Sequence, residues 1–141
     1  LFFVTVRETC AEYRPVKEAI VPGRISNSGT VVRDAERSYG VLRALDPTTV
    51  ERKWEFKYPT PTMAGVMSTA SGVVFAGDNE GNFMAFDART GKNLWFYPTG
   101  APIWGAAPMT FMVDGRQHVV IGSGTSVTAF ALPADASAPA R

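Results

Sequence analysis

Ala85-Phe86-Asp87-Ala88-Arg89-Thr90-Gly91-Lys92-Asn93-Leu94-Trp95 reads as a strand end, a tight turn and a new strand that opens on tryptophan. Asp87 can accept hydrogen bonds from backbone N–H groups further along the turn. Gly91 supplies a backbone free to take positive φ or to approach another group closely. Trp95 supplies a wide flat face and a single N–H donor. A degraded copy lies upstream, Ala44-Leu45-Asp46-Pro47-Thr48-Thr49-Val50-Glu51-Arg52-Lys53-Trp54. Ala, Asp and Trp keep the same spacing, and the copies are offset by 41 residues. Val50 stands where the downstream copy has Gly91, and Glu51 where it has Lys92.

A repeat of that length made of strands and turns is the pattern of a β-propeller blade. The surrounding sequence agrees. Short apolar runs at residues 1–6, 40–45, 52–58, 66–69, 73–76, 82–86, 94–97, 106–113, 117–121 and 127–132 are separated by Gly, Pro or Asp. No segment has helical caps or a helical period. Asp114-Gly115 between two such runs is a strong hairpin signal. Val73-Val74-Phe75 and Phe83-Met84-Ala85-Phe86 put apolar groups on both faces, as a sheet covered on both sides requires. The fold is therefore expected to be all-β, built of four-stranded antiparallel blades. At this repeat length the chain holds roughly three blades, against about four to eight in a closed ring.

The chain has 141 residues, 45% hydrophobic and 19% charged, with a net charge of +1. It is expected to be globular, with no reason in its charge to bind nucleic acid. No apolar run approaches the roughly 20 residues that span a bilayer, so no membrane insertion is expected. A single Cys10 excludes an internal disulfide, and a single His118 excludes a multi-histidine metal site. Residues 7–38 hold Pro15, Pro22, Gly23, Gly29 and many charges without a sustained period, and are expected to form a long irregular loop. Residues 133–141 are small and Pro-rich, and are expected to be a frayed tail. The chain opens on Leu1 with no initiator Met and no signal sequence, and is expected to be the C-terminal part of a longer protein.

Taken together, these motifs resemble the quinoprotein alcohol dehydrogenases, the enzymes that use pyrroloquinoline quinone (PQQ). The repeated turn is similar to their tryptophan-docking motif. Met67-Ser68-Thr69-Ala70-Ser71-Gly72-Val73-Val74-Phe75-Ala76-Gly77-Asp78 is similar to a strand pair of that family. Ala107-Pro108-Met109-Thr110-Phe111, followed by Asp114-Gly115-Arg116-Gln117-His118-Val119-Val120, resembles one of its hairpins. The resemblance implies the last three blades of a periplasmic propeller of about eight blades. In that family the quinone lies near the ring axis with a calcium or lanthanide ion.

The resemblance also assigns roles residue by residue. Ala44, Asp46, Trp54, Ala85, Asp87, Gly91 and Trp95 would be architectural. Trp54 would lie between Ala44 and the Gly91 peptide, and Trp95 would lie on Ala85 with a further blade on its other face. The opening strand leads to a cofactor-contacting position that is commonly Asn or Trp and falls here on Arg7, followed by Glu8, with Cys10 matching a recurrent Cys. Arg7 could pair with a quinone carbonyl or carboxylate, or it could form a surface pair with Glu8. Met63 falls where the family often places a Trp near the quinone, and Trp104 at a corresponding inner edge; core packing is the alternative for both. Asp34, Glu36 and Asp114 match no catalytic motif. No catalytic residue and no metal ligand is assigned, because the family's catalytic Asp, metal ligands and quinone-binding Lys lie in earlier blades. The implied function is a segment of a dehydrogenase oxidising an alcohol to an aldehyde, inactive by itself and without tight cofactor binding of its own. Its implied partners are the remaining blades and a small alcohol. The alternative is a cofactor-free propeller that serves as a protein-binding scaffold in outer-membrane assembly.

Overall fold

The computed structural model describes residues 1–17, 21–25 and 29–132; the tail expected over residues 133–141 lies outside the described residues. The strands run in chain order as β1 (Phe2–Glu8), β2 (Ala11–Pro15), β3 (Gly29–Arg33), β4 (Tyr39–Leu45), β5 (Arg52–Tyr58) and β6 (Val66–Ser68). They continue as β7 (Val73–Gly77), β8 (Asn82–Asp87), β9 (Asn93–Pro98), β10 (Met109–Val113), β11 (Arg116–Ser123) and β12 (Ser126–Ala131). No helix occurs among the described residues. Every pairing is antiparallel. One sheet has four strands in the order β6-β7-β8-β9, flanked by the three-stranded sheets β1-β4-β5 and β10-β11-β12. Val113 pairs with Arg116 across a two-residue turn in which Asp114 and Gly115 both take positive φ, at 50° and 73°. That is the mirror-image turn whose twist matches the strands it joins.

The middle sheet is covered on both faces. Val74, Ala76, Met84 and Phe86 join Leu42 and Tyr58 of the first sheet in one buried cluster, with Phe3, Trp54 and Phe56 packed against it. Phe83 joins Ala64, Ile103, Val119 and Ile121 in a second cluster, with Phe75 and Phe130 against it. The consecutive apolar residues of β8 thus feed two cores, because successive side chains point to opposite faces. In β5 the alternation is clean instead. Trp54, Phe56 and Tyr58 face the middle sheet, while the Glu55 carboxylate on the other face accepts from Arg43 at 2.6 Å and Arg52 at 2.8 Å. Stacked antiparallel sheets of this kind, with consecutive strands adjacent except where the β2–β3 ribbon interrupts the first sheet, are blades of a β-propeller.

The expected irregular loop over residues 7–38 needs correction. Arg7 and Glu8 complete β1, and β2 pairs with β3 from Ala11↔Arg33 to Pro15↔Gly29 as a separate two-stranded ribbon. Asp34 closes it, accepting from the backbone N–H groups of Glu36 at 3.1 Å and Arg37 at 3.2 Å. The ribbon carries Glu12 and Arg14 paired on its own surface at 2.9 Å and packs no buried cluster. Without a buried face it has no apolar period to reveal it in the sequence.

Candidate functional site

The register divides the molecule into two rims. The ends of β4 and β8 carry the turns at residues 46–51 and 87–92 to one rim. The end of β1, the β5–β6 connection and the β9–β10 connection lie at the other.

At the first rim the two turns are built alike. The Asp46 carboxylate accepts from the backbone N–H groups of Thr48 at 2.9 Å and Thr49 at 3.0 Å, and the Asp46 carbonyl accepts from Val50 at 2.9 Å. The Asp87 carboxylate accepts from Thr90 N–H at 2.8 Å, its hydroxyl at 2.9 Å and Arg89 N–H at 3.0 Å, and the Asp87 carbonyl accepts from Gly91 at 2.9 Å. These donors hold both carboxyls below the usual carboxylate range, chiefly the Thr49 and Thr48 amides at Asp46 and the Thr90 hydroxyl and amide at Asp87. A β-bulge follows Ala44 in one copy and Ala85 in the other, and each Ala pairs with its own Trp, Ala44 with Trp54 and Ala85 with Trp95.

The copies differ in what lies over the indole. Gly91, at φ 71°, brings its backbone onto the Trp54 ring so closely that a Cβ there would sit 2.6 Å from Cδ2. Trp54 Nε1 donates to the Ala88 carbonyl at 2.9 Å. Trp95 contacts Phe83, Tyr97 and Phe130 edge-on or stacked, yet remains 39% exposed. Val50 takes φ 60° in the position of Gly91, a conformation unfavourable for a β-branched residue.

At the opposite rim Arg7 and Met63 line one open groove of about 460 Å³, together with Phe3, Thr5, Ala64 and Val66. Gly40, the register partner of Arg7, makes this juxtaposition possible. A Cβ there would lie 2.9 Å from the Pro61 Cα and 3.1 Å from the Thr60 carbonyl oxygen, so only glycine lets the 60–62 segment cross the strand. The Thr62 hydroxyl, buried behind Met63, accepts from the Ala64 N–H at 3.1 Å. Gly65 then donates to the Ala106 carbonyl at 2.9 Å, its bare Cα packed against Ala107. Met63 therefore sits on a connection fixed on both sides. The Tyr58 phenol, in the buried cluster between the first and middle sheets, is pushed up by burial and by the charge of Asp78.

Glu8 and Trp104 do not line this groove. Glu8 alternates to the other face of β1 from Arg7. Trp104 follows the fully buried Ile103, whose N–H donates to the Asp78 carbonyl at 3.1 Å, and is itself 57% exposed. Thr5, Gly40 and Thr62 shape the groove and were not singled out from the sequence. The signals were a glycine at the start of an apolar run and a threonine between prolines and glycine, each too common to stand out. Among the described residues no three His, Cys, Asp or Glu side chains cluster as a metal site. No helix among them is long and apolar enough to cross a membrane.

Comparison with known proteins agrees with this architecture. Residues 27–119 match the family described as PQQ glucose/ethanol/alcohol dehydrogenase, β-propeller domain. The chain belongs to that family. It is 47% identical over 90 residues to a quinoprotein alcohol dehydrogenase, PedE, of Pseudomonas putida, a match that covers 62% of this chain and 14% of that protein. The fold matches the quinohemoprotein alcohol dehydrogenase ADHIIG of Pseudomonas putida HK5 with a TM-score of 0.70 at 28% identity, covering 89% of this chain and 20% of that one. It matches a europium-containing methanol dehydrogenase with a TM-score of 0.68 at 30% identity, covering 86% of this chain and 22% of that one. The chain thus spans a small part of the length of these relatives.

Proposed function

We propose that this chain supplies the C-terminal blades of a periplasmic, PQQ-dependent dehydrogenase that oxidises an alcohol to an aldehyde. The observation that carries the reading is the shared groove of Arg7 and Met63 at the rim opposite the docking turns. Its walls are largely apolar, with Thr5 and Thr62 among them, and it holds one guanidinium, which suits a flat quinone bearing carboxylates. Arg7 would pair with a carboxylate or carbonyl of the quinone, and Met63 would lie against the ring system. When bound, the quinone supplies the two-electron acceptor; the chain supplies position and electrostatics. A calcium or lanthanide ion would be held by residues of other blades. The docking turns have a purely architectural role in this reading.

The open groove gives the quinone few walls, so affinity should be weak and should depend on Arg7. Titration of the chain with PQQ, followed by absorbance, should show weak binding that Arg7→Ala abolishes and Arg7→Lys partly restores. Tight binding that survives Arg7→Ala would place the site elsewhere. Alcohol oxidation by this chain alone would show that the catalytic groups lie within it.

A further inference from the structure

Thr5 and Arg7 stand two residues apart on one face of β1, about 7 Å along the strand, and both line the groove that holds Met63. Their register partners are Leu42 and Gly40, and Gly40 is in turn paired with Tyr58. Cross-strand partners present their side chains to the same face. Thr5, Arg7 and Tyr58 therefore all face the middle sheet, and Gly40 puts no side chain between Arg7 and Tyr58. The Thr5 and Tyr58 hydroxyl oxygens are both shut off from solvent, and neither has a hydrogen-bond partner among the described residues. They are neighbours nonetheless, because the Thr5 hydroxyl opposes the upward push that burial gives the Tyr58 phenol. A buried hydroxyl without a partner is costly, and a native fold keeps few of them. Arg7 also lacks a carboxylate, since no ion pair among the described residues includes it.

We infer that the Thr5 hydroxyl is a second polar contact of this groove and donates to an acceptor atom lying next to the anion that Arg7 holds. The inference rests on the groove being the quinone site proposed above. It adds which edge of a ligand enters: the edge of a flat aromatic carboxylate that carries a ring nitrogen or carbonyl oxygen beside the carboxylate. Tyr58 sets the direction of the bond. Its phenol has a proton to donate, and the side chains clustered around it, Leu42, Val74, Ala76, Met84 and Phe86, offer no oxygen. The Asp78 carboxylate is already taken by the Glu80 and Asn82 amides and the Asn82 side chain. Thr5 Oγ1 is thus the acceptor left to Tyr58, and Thr5 turns its own proton to the groove. A small rotation about χ1 brings that oxygen to the groove wall and breaks no hydrogen bond, because it makes none. Thr5 touches the ligand in this arrangement, and Tyr58 is a positioning residue that acts through it.

The test compares two probes of one shape and charge, quinoline-2-carboxylate and naphthalene-2-carboxylate, which differ only in the ring nitrogen beside the carboxylate. Binding to the full chain is followed by NMR. The quinoline should bind with a Kd of about 1 mM, about fivefold more tightly than the naphthalene, the ratio that one hydrogen bond supplies. Thr5→Val should remove that preference, Thr5→Ser should keep it, and Tyr58→Phe should weaken it without changing the affinity for the naphthalene. Arg7→Ala should abolish binding of both probes. The Trp54 indole signal reports whether each variant is folded, and Thr5→Ala takes the place of Thr5→Val if the latter is not. Equal binding of the two probes by the unaltered chain, or a preference that survives loss of the Thr5 hydroxyl, overturns the inference and leaves Arg7 as the anion's partner. Binding that survives Arg7→Ala overturns the quinone reading of the groove together with it. Failure of both probes to bind overturns the inference too.

Discussion

Trp54 and Trp95 occupy the same place in two copies of one motif, yet one is held on both faces and the other on one. Trp54 has Ala44 across the strand pair, the Gly91 backbone against its ring and the Ala88 carbonyl on its N–H. Trp95 has Ala85 and three aromatic neighbours but keeps 39% of its surface exposed. The strand-turn-strand unit alone therefore orients a tryptophan without burying it. Burial comes from the turn of the following blade, so each motif stabilises an interface rather than the sheet that carries it.

The largest expected effect tests that difference directly. Trp54→Ala should destabilise the chain by about 3 kcal/mol, the low end for a large aromatic in a core because the indole is only half buried. Trp95→Ala should cost about 1 kcal/mol, since much of its surface is already wet. Urea unfolding of both variants measures the two costs. Equal losses would mean that the Gly91 contact adds nothing.

The second test acts from the other side of the same contact. Gly91→Ala meets both an unfavourable φ of 71° and the Trp54 ring 2.6 Å away. Gly72→Ala meets a similar φ of 83° with open space around it. The first should cost about 2–3 kcal/mol and the second about 1 kcal/mol, the difference being the displaced indole. Matching midpoints for the two variants would show that backbone strain accounts for everything and the ring for nothing.

Much of this architecture is legible in the sequence, and the reason is local. The strand runs around Val73, Phe83 and Val119, the Asp114-Gly115 turn and both docking turns are fixed by neighbours in the chain. What escaped notice depends on contacts between distant segments. The β2–β3 ribbon has no core to impose a period on Ala11–Pro15 or Gly29–Arg33, so its Pro, Gly and charges read as loop. The groove joins Arg7 to Met63 only because Gly40 and Gly65 let two backbone segments pass, and a glycine shows its reason only when its neighbour is known. Arg7 and Met63, named through family resemblance, line the groove, and Glu8 and Trp104, named on the same ground, are not among its lining residues.

A smaller effect concerns the weaker copy. Val50 holds φ 60° where Gly91 holds 71°, and its side chain is exposed, so the strain is not offset by burial. Val50→Gly should relieve about 1–2 kcal/mol of left-handed strain and lose about 0.5–1 kcal/mol to the freer unfolded chain. A net gain of up to about 1.5 kcal/mol is expected from denaturant unfolding. A net loss would mean that Val50 makes a contact worth more than its strain.

The smallest effect separates the two turns from the rest of the molecule by pH. Asp46 and Asp87 are both held below the usual carboxylate range by donors that exist only in the folded turn. A group depressed in the folded state binds its proton more readily when unfolded, so its contribution is complete above the unfolded value of about 3.9. It is lost as pH falls from there through the folded value. Melting temperature should thus be flat from neutrality to about pH 5 and decline below about pH 4. Asp34 and Glu55, also depressed by their arginine partners, share in that decline. In an Asp46→Asn, Asp87→Asn chain the melting temperature should be lower at neutrality and the acid decline shallower, because amides accept the same backbone bonds without a proton to gain. An unchanged acid slope in that variant would assign the decline to the ion pairs of Asp34 and Glu55 and leave the docking turns insensitive to charge.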